Sequence, residues 1–403
     1  MLFCLTCVTI AFVQPYLFTI YGHQADIYGG LLCVLSLLTA LLAARSAGVR
    51  LSRSYLVMSL ALLFLAMISG AYSSTAASSS TRSFFLISCG LGGFWCSQVL
   101  LRNDGGKRVF MWLCVAILLG YLVMSLLTYF VLGKTIHYLI DSNSTTLINR
   151  ILLLSFGPLA LIGSRGRLNA VLGVLLLGLS YVALLVDAIS FSRFIHTVSI
   201  IVLVSWILVS IFGRWTKLRF ALLLLSGVVV MATAVYVFSP VQPKIHTIMN
   251  DTRTLYRLEN YPFSWHIARE HPVIGIGLET PLKEFLWNYS LRVDRWPSPK
   301  FFGQMVARIN SPDNAYLAFM VYLGLPFLIL YAFALVVLFW KFMRIAWRRP
   351  PWFGLPPLAI LIPVTAALMH FMDLDGLLYG DINWYFHVLV GLVPAYATVR
   401  SIK

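Results

Sequence analysis

Charge is scarce in this chain. Only 11% of its 403 residues are Asp, Glu, Lys or Arg, against roughly 25% in soluble globular domains. A mean hydropathy of +0.86 and a 60% hydrophobic content point to a polytopic membrane protein. The apolar runs do not alternate every second residue, which excludes a membrane β-barrel. The six cysteines, Cys4, Cys7, Cys33, Cys89, Cys96 and Cys114, all fall in apolar runs, so none can bridge an external loop. Cys4 and Cys7 form a C-x-x-C with no His or acidic ligand nearby, and buried cysteine there behaves as a small hydrophobe. Several other patterns are missing: a nucleotide-binding glycine loop, an Asp-x-Asp pair at a membrane boundary, a tandem repeat and a small-residue cleavage site. The first span is therefore expected to be retained. Asn143-Ser144-Thr145 fits a glycosylation sequon, a short pattern that arises often by chance.

What is present is helical hydrophobicity. Runs of about 15 to 25 apolar residues suit helices crossing a hydrocarbon core of roughly 30 Å. The fold class expected is an all-α integral membrane protein with about twelve transmembrane helices. The spans lie near 2–20, 29–44, 55–72, 84–101, 109–132, 148–163, 168–186, 194–212, 220–238, 314–340, 355–371 and 383–399. The sixth is short enough to be tilted or partly re-entrant, and the tenth is long enough to project beyond the bilayer. This divides the chain into helices 1–9 over residues 1–238, a large, partly helical loop over 239–313, and helices 10–12 over 314–403.

The formal net charge of +16 is distributed as in a membrane protein, with no nucleic-acid partner expected. Seventeen Lys and Arg fall in alternate connections and only four, Arg82, Lys134, Arg150 and Arg193, in the short loops opposite. The positive-inside rule then puts both termini in the cytoplasm and the large loop outside. Of the acidic residues, only Asp104 lies on the basic side.

Four constellations carry candidate chemistry. Ser192-Arg193 opens the eighth span, and Arg193 is either a snorkelling anchor or an anion ligand whose planar fork suits phosphate. Arg253 and Arg257 precede Pro272-Val-Ile-Gly-Ile-Gly277. Gly275 and Gly277 form a plain turn or let backbone approach a ligand. Residues 254–270 place Leu255, Leu258, Tyr261, Trp265 and Ala268 at helical spacing, which predicts an amphipathic helix near the membrane surface. Trp265, Trp287 and Trp296 serve as interfacial anchors or stack on sugars.

Ser311-Pro312-Asp313-Asn314 reads as a helix start, with Ser311 as N-cap, Pro312 at the first position and Asp313 in the first turn. It also reads as a cavity-mouth carboxylate able to take a proton from an attacking hydroxyl. Finally, Asp373, Asp375 and Asp381 lie near His370 and His387, as solvated charges or as cation ligands. His137, His196, His266 and His271 are read as surface or satisfied histidines.

Together these pieces resemble the superfamily of O-antigen ligases, O-antigen and exopolysaccharide polymerases, and bacterial protein O-oligosaccharyltransferases. The resemblance rests on the twelve-span layout and on Ser192-Arg193, Arg257-Leu-Glu-Asn-Tyr261, His271-Pro-Val-Ile-Gly-Ile-Gly277, Asn314-Ala-Tyr316-Leu317 and Gly324-Leu325. It implies an inner-membrane glycosyltransferase with a periplasmic site. Its donor and acceptor are glycans, the donor linked to undecaprenyl diphosphate. Membrane lipids surround it, and a chain-length regulator is a candidate partner.

Arg193 and Arg257 are implied to contact the diphosphate. Asp313 is the candidate base, and Ser192, Arg253, Tyr261, Gly275, Gly277, Asn314 and Tyr316 are candidate substrate contacts. No cofactor or metal is implied. Ligases of the family resemble His-x-x-x-Asn or His-Asn where this chain has Asp313-Asn314, which points to the polymerase branch. Ligation to lipid A core is the same-class alternative, and a lipid-linked oligosaccharide flippase or transporter the alternative of another class.

Overall fold

The computed structural model describes residues 1–13, 24–46, 52–132, 144–163, 166–186, 252–292, 303, 306, 309, 311–348, 358–372 and 376–398. Among these the regular structure is helical, with no strand. In chain order the principal helices are α1 (Leu2–Val8), α2 (Gln24–Ser46), α3 (Arg53–Ala71), α4 (Ala76–Leu100), α5 (Asp104–Leu132), α6 (Ser144–Leu154), α7 (Phe156–Gly163), α8 (Arg167–Val186), α9 (Thr252–Glu270), α10 (Lys283–Arg292), α11 (Ala315–Leu323), α12 (Leu325–Arg348), α13 (Leu358–His370) and α14 (Gly380–Thr398). Stretches of α3, α4, α5 and α12 are long and apolar enough to cross a membrane. The expected spans at 194–212 and 220–238, with residues 239–251 of the loop, lie outside the described residues.

Helix α4 forms the centre of the bundle, packed against α2, α3 and α14. Its inner face is built of small residues, Ser83, Ser88, Cys89, Gly90, Gly92, Gly93 and Ser97, all buried. Hydrophobicity alone does not drive helices together in lipid, so close backbone approach must do so. At Gly93 a Cβ would sit 2.5 Å from the Trp384 carbonyl oxygen of α14, so any side chain there forces the two helices apart. The cysteines are free thiols, and all but Cys4 are buried.

Helix α12 shows its lipid-facing pattern directly. Leu325, Ile329, Phe333, Val336 and Trp340 are exposed, while Phe327, Tyr331, Leu338 and Phe342 are buried on the other side. That is the one-stripe pattern of a helix with a single packed face. The π-helical continuation of α1, Thr9–Val13, lies beside two tyrosines that serve backbone carbonyls. Tyr385 donates to the Cys7 carbonyl and Tyr121 to the Ala11 carbonyl, each at 2.5 Å. Water cannot take that role inside hydrocarbon.

Two expected spans are broken, each for a reason in the sequence. The sixth divides at Ser155 into α6 and α7; Pro158 lacks the N–H that would reach the Leu154 carbonyl four residues back. The tenth divides at Gly324, whose φ of 85° ends α11 after nine residues. Pro326 follows and cannot donate to the Tyr322 carbonyl.

A buried ion pair corrects the sequence reading at two positions. Arg150 is not a loop residue but lies within α6, and Asp381 is not a solvated charge but sits in the first turn of α14. Both are 3% exposed, and the Arg150 Nε donates to Asp381 Oδ2. Asp373 and Asp375, its expected companions, lie outside the described residues.

Candidate active site

Helix α9 confirms a helix over 254–270 but turns a different face inward. The buried positions are Asn260, Phe263, Ser264, Ile267 and Ala268, spaced by three and four. Among the described side chains of the expected stripe only Ala268 is buried; Trp265 is 53% exposed, and Tyr261 is half-buried. Two polar residues thus occupy the inner face. Their partners come from a segment distant in sequence.

That segment is the strap Ser311–Asn314. Asn260 Nδ2 donates to the Ser311 carbonyl at 2.9 Å and to Asp313 Oδ2 at 3.4 Å. Its Oδ1 accepts the Ser264 hydroxyl at 3.1 Å. Asp313 stands at φ 51°, the left-handed region that residues other than glycine rarely occupy, although Asp tolerates it better than most. The helix consequently begins later than expected. Asn314 is the N-cap of α11, its Oδ1 accepting from the backbone N–H of Tyr316 at 3.0 Å and Leu317 at 2.9 Å. Ser311 is not the cap, and Asp313 lies just outside the helix.

The other side of the strap meets the end of α13. The Ala315 N–H donates to the Phe371 carbonyl at 2.9 Å. Asn314 Nδ2 and the Tyr261 hydroxyl both donate to the Met372 carbonyl, at 2.7 and 3.3 Å, and the Tyr316 hydroxyl donates to the Leu368 carbonyl at 2.8 Å. Asp313, Asn314, Tyr261 and Tyr316 are therefore gathered at one junction of α9, α11 and α13.

Gly275 and Gly277 lie elsewhere, at the opposite end of the nine-residue α11, about 13 Å along its axis at 1.5 Å per residue. Their conformations require glycine, with φ of 69° and 83°. The N–H groups of Ile276 and Gly277 donate at 2.9 Å to the Val321 and Tyr322 carbonyls, which Gly324 and Pro326 leave without helical donors. The Ser69 hydroxyl also donates to the Tyr322 carbonyl, at 2.5 Å, and the Leu325 N–H donates to the Pro272 carbonyl at 2.7 Å. The glycine turn thus closes a helix end, supplying donors to carbonyls that a buried helix terminus otherwise leaves orphaned. Arg82 of α4 ties down the next residues through Glu279 at 2.8 Å and the Leu278 carbonyl at 3.3 Å.

Ser192 and Arg193 lie outside the described residues. The backbone of Arg253 and Arg257 belongs to α9, seven and three residues before Asn260. His266 and His271 are directed toward α10 instead. The His266 ring lies 5.3 Å from that of Tyr289 and its Nε2 lies 3.4 Å from Glu270, while the His271 ring lies 5.6 Å from Phe285. Burial, aided by the Glu259 charge, raises the Tyr289 pKa above its usual value.

Sequence reasoning passed over Asn260 and Ser264. The signal available was their spacing behind Arg257, at three and seven residues, which makes a polar line down one helix face. No curated protein matches the chain. Residues 150–332 match the family model described as O-antigen ligase, a span that contains α9, the glycine turn, the strap and α11. Members of that family are enzymes that ligate or polymerise glycans. With a multi-helical apolar architecture and the strap at its polar junction, the chain is similar over residues 150–332, somewhat under half of its length, to the O-antigen ligase family.

Proposed function

We propose that this protein polymerises undecaprenyl-diphosphate-linked repeat units into a surface polysaccharide at the periplasmic face of the bacterial inner membrane. One observation carries the reading. The Asn260 contact puts the Asp313 carboxylate against α9, three residues, or about 4.5 Å of helix rise, from the position of Arg257. Two motif pieces separated by 56 positions in the chain are thus linked through Asn260, which supports a site where a carboxylate acts with a permanent cation.

Glycosyl transfer needs both. The acceptor hydroxyl gives its proton to Asp313 as its oxygen bonds to the anomeric carbon, and the bond to the diphosphate breaks with the electron pair leaving on that group. Arg257, with Arg193 as its expected second arm, neutralises the departing charge through forked hydrogen bonds. A single displacement of this kind inverts the anomeric centre, and with arginines as the electrostatic partners it proceeds without a metal ion. Asn314, Tyr261 and Tyr316 shape the junction, with Arg253 and Ser192 as further contacts to the donor. A chain-length regulator would act on the product. The aspartate where ligases resemble histidine favours polymerisation over transfer to lipid A core.

The test is direct. Purified protein given the lipid-linked repeat unit is expected to yield a ladder of longer lipid-linked glycans. Product appearing only when lipid A core is added assigns ligation, and translocation without bond formation assigns a flippase.

A further inference from the structure

Asn260 is 0% exposed on a helix face that otherwise buries mostly apolar side chains, and a buried amide is costly unless its donors and acceptor are engaged. It meets that demand with one donor contact to the strap carbonyl of Ser311, one to the Asp313 carboxylate, and its oxygen accepting from Ser264, which is itself 0% exposed. The second donor contact reaches a carboxylate on a residue held in the left-handed region, a conformation that persists when its surroundings over-determine it and that concentrates at functional sites.

We propose that Asn260, braced by Ser264, is a positioning residue for the glycosyl transfer, holding the Asp313 carboxylate in the orientation that receives the acceptor proton. The inference rests on Asp313 being the base. Asn is suited to the task because it offers two N–H donors and carries no charge: one donor fixes the strap and the other fixes the carboxylate. Aspartate in its place has the same shape but sets a second carboxylate beside Asp313, and like charges at this range favour the protonated, inactive base.

The test is a pH–rate profile of chain extension by the purified protein in nanodiscs, for wild type, Asn260→Asp, Ser264→Ala and Asp313→Asn. Asn260→Asp is expected to lower kcat about tenfold or more with KM within about twofold, the pattern of a lost transition-state interaction, and to move the acidic limb of the profile to higher pH. Ser264→Ala, which removes only the brace, is expected to move it the same way by less. On an Asp313→Asn background, Asn260→Asp is expected to cost little more, because the two residues act as a unit.

An unchanged limb and kcat in Asn260→Asp overturns the proposal while leaving Asp313 as base. Wild-type turnover in Asp313→Asn overturns the base reading itself, and the proposal with it. Should Asn260→Asp not be recovered from membranes, a Ser264→Ala profile superimposable on wild type overturns the proposal.

Discussion

Gly277 donates its backbone N–H to the carbonyl of Tyr322 at 2.9 Å, joining the turn after α9 to the last residues of α11. The glycine of the family motif is thereby explained by backbone geometry. At φ 83° a side chain is strained, and a Cβ there would overlap Ser73 of the α3–α4 connection and Ser79 of α4. Gly277→Ala is expected to destabilise the protein by about 2 kcal/mol or more, since strain and overlap add. Thermal unfolding in detergent checks the loss, and turnover per folded molecule is expected to stay near wild type.

Asp313→Asn separates chemistry from folding. The left-handed conformation suits Asn as well as Asp, and the residue lies outside α11, where helix-terminus charge effects are at most about 0.3 to 1 kcal/mol. Normal insertion and melting are expected, with turnover down roughly a hundredfold as a general base is lost. Equal rates for variant and wild type would leave Asp313 as a shaping residue of the strap.

The Arg150–Asp381 pair predicts an asymmetric stability effect. Removing one partner, as in Asp381→Ala, strips a buried charge of this counter-ion and is expected to cost about 3 to 5 kcal/mol. Replacing both with apolar residues of similar volume is expected to recover most of that. Unfolding of the single and double variants in detergent measures the difference, and equal losses in both would remove the ion pair as the cause.

Arg257→Lys keeps the charge and loses the fork. Activity is expected to fall about tenfold or more because an ammonium cannot make the paired hydrogen bonds of a guanidinium to phosphate oxygens. Full activity in the lysine variant would reduce the role of Arg257 to that of a point charge.

Turnover is expected to survive EDTA, because permanent cations take the place of a metal at the leaving group. Loss of activity on chelation, restored by magnesium or manganese, would redirect attention to Asp373 and Asp375.

Apolar run length located most of the described membrane-type helices, since helix length and apolar content are local properties that the bilayer imposes on each span separately. It failed where a partner distant in sequence decides. Ser311 and Asn314 are both competent N-caps, and nothing local chooses between them. The choice falls to Asn314 because Asn260 holds the Ser311 carbonyl and the Asp313 carboxylate while Phe371 takes the Ala315 N–H, so the helix cannot start at Pro312. The same cause turned α9: its apolar residues suggested one face, but the hydrogen bonds of the strap allow Asn260 and Ser264 to be buried on another. Arg150 and Asp381 followed the same logic, each an exposed charge in isolation and each buried once the other is opposite it.

Composition and apolar run length alone indicated the helical, membrane-type architecture of the described residues, and motif order alone indicated the family that residues 150–332 match. Which polar groups meet was left to the tertiary structure. A hydropathy pattern records the cost of removing each side chain from water, but not the partner elsewhere in the chain that offsets that cost.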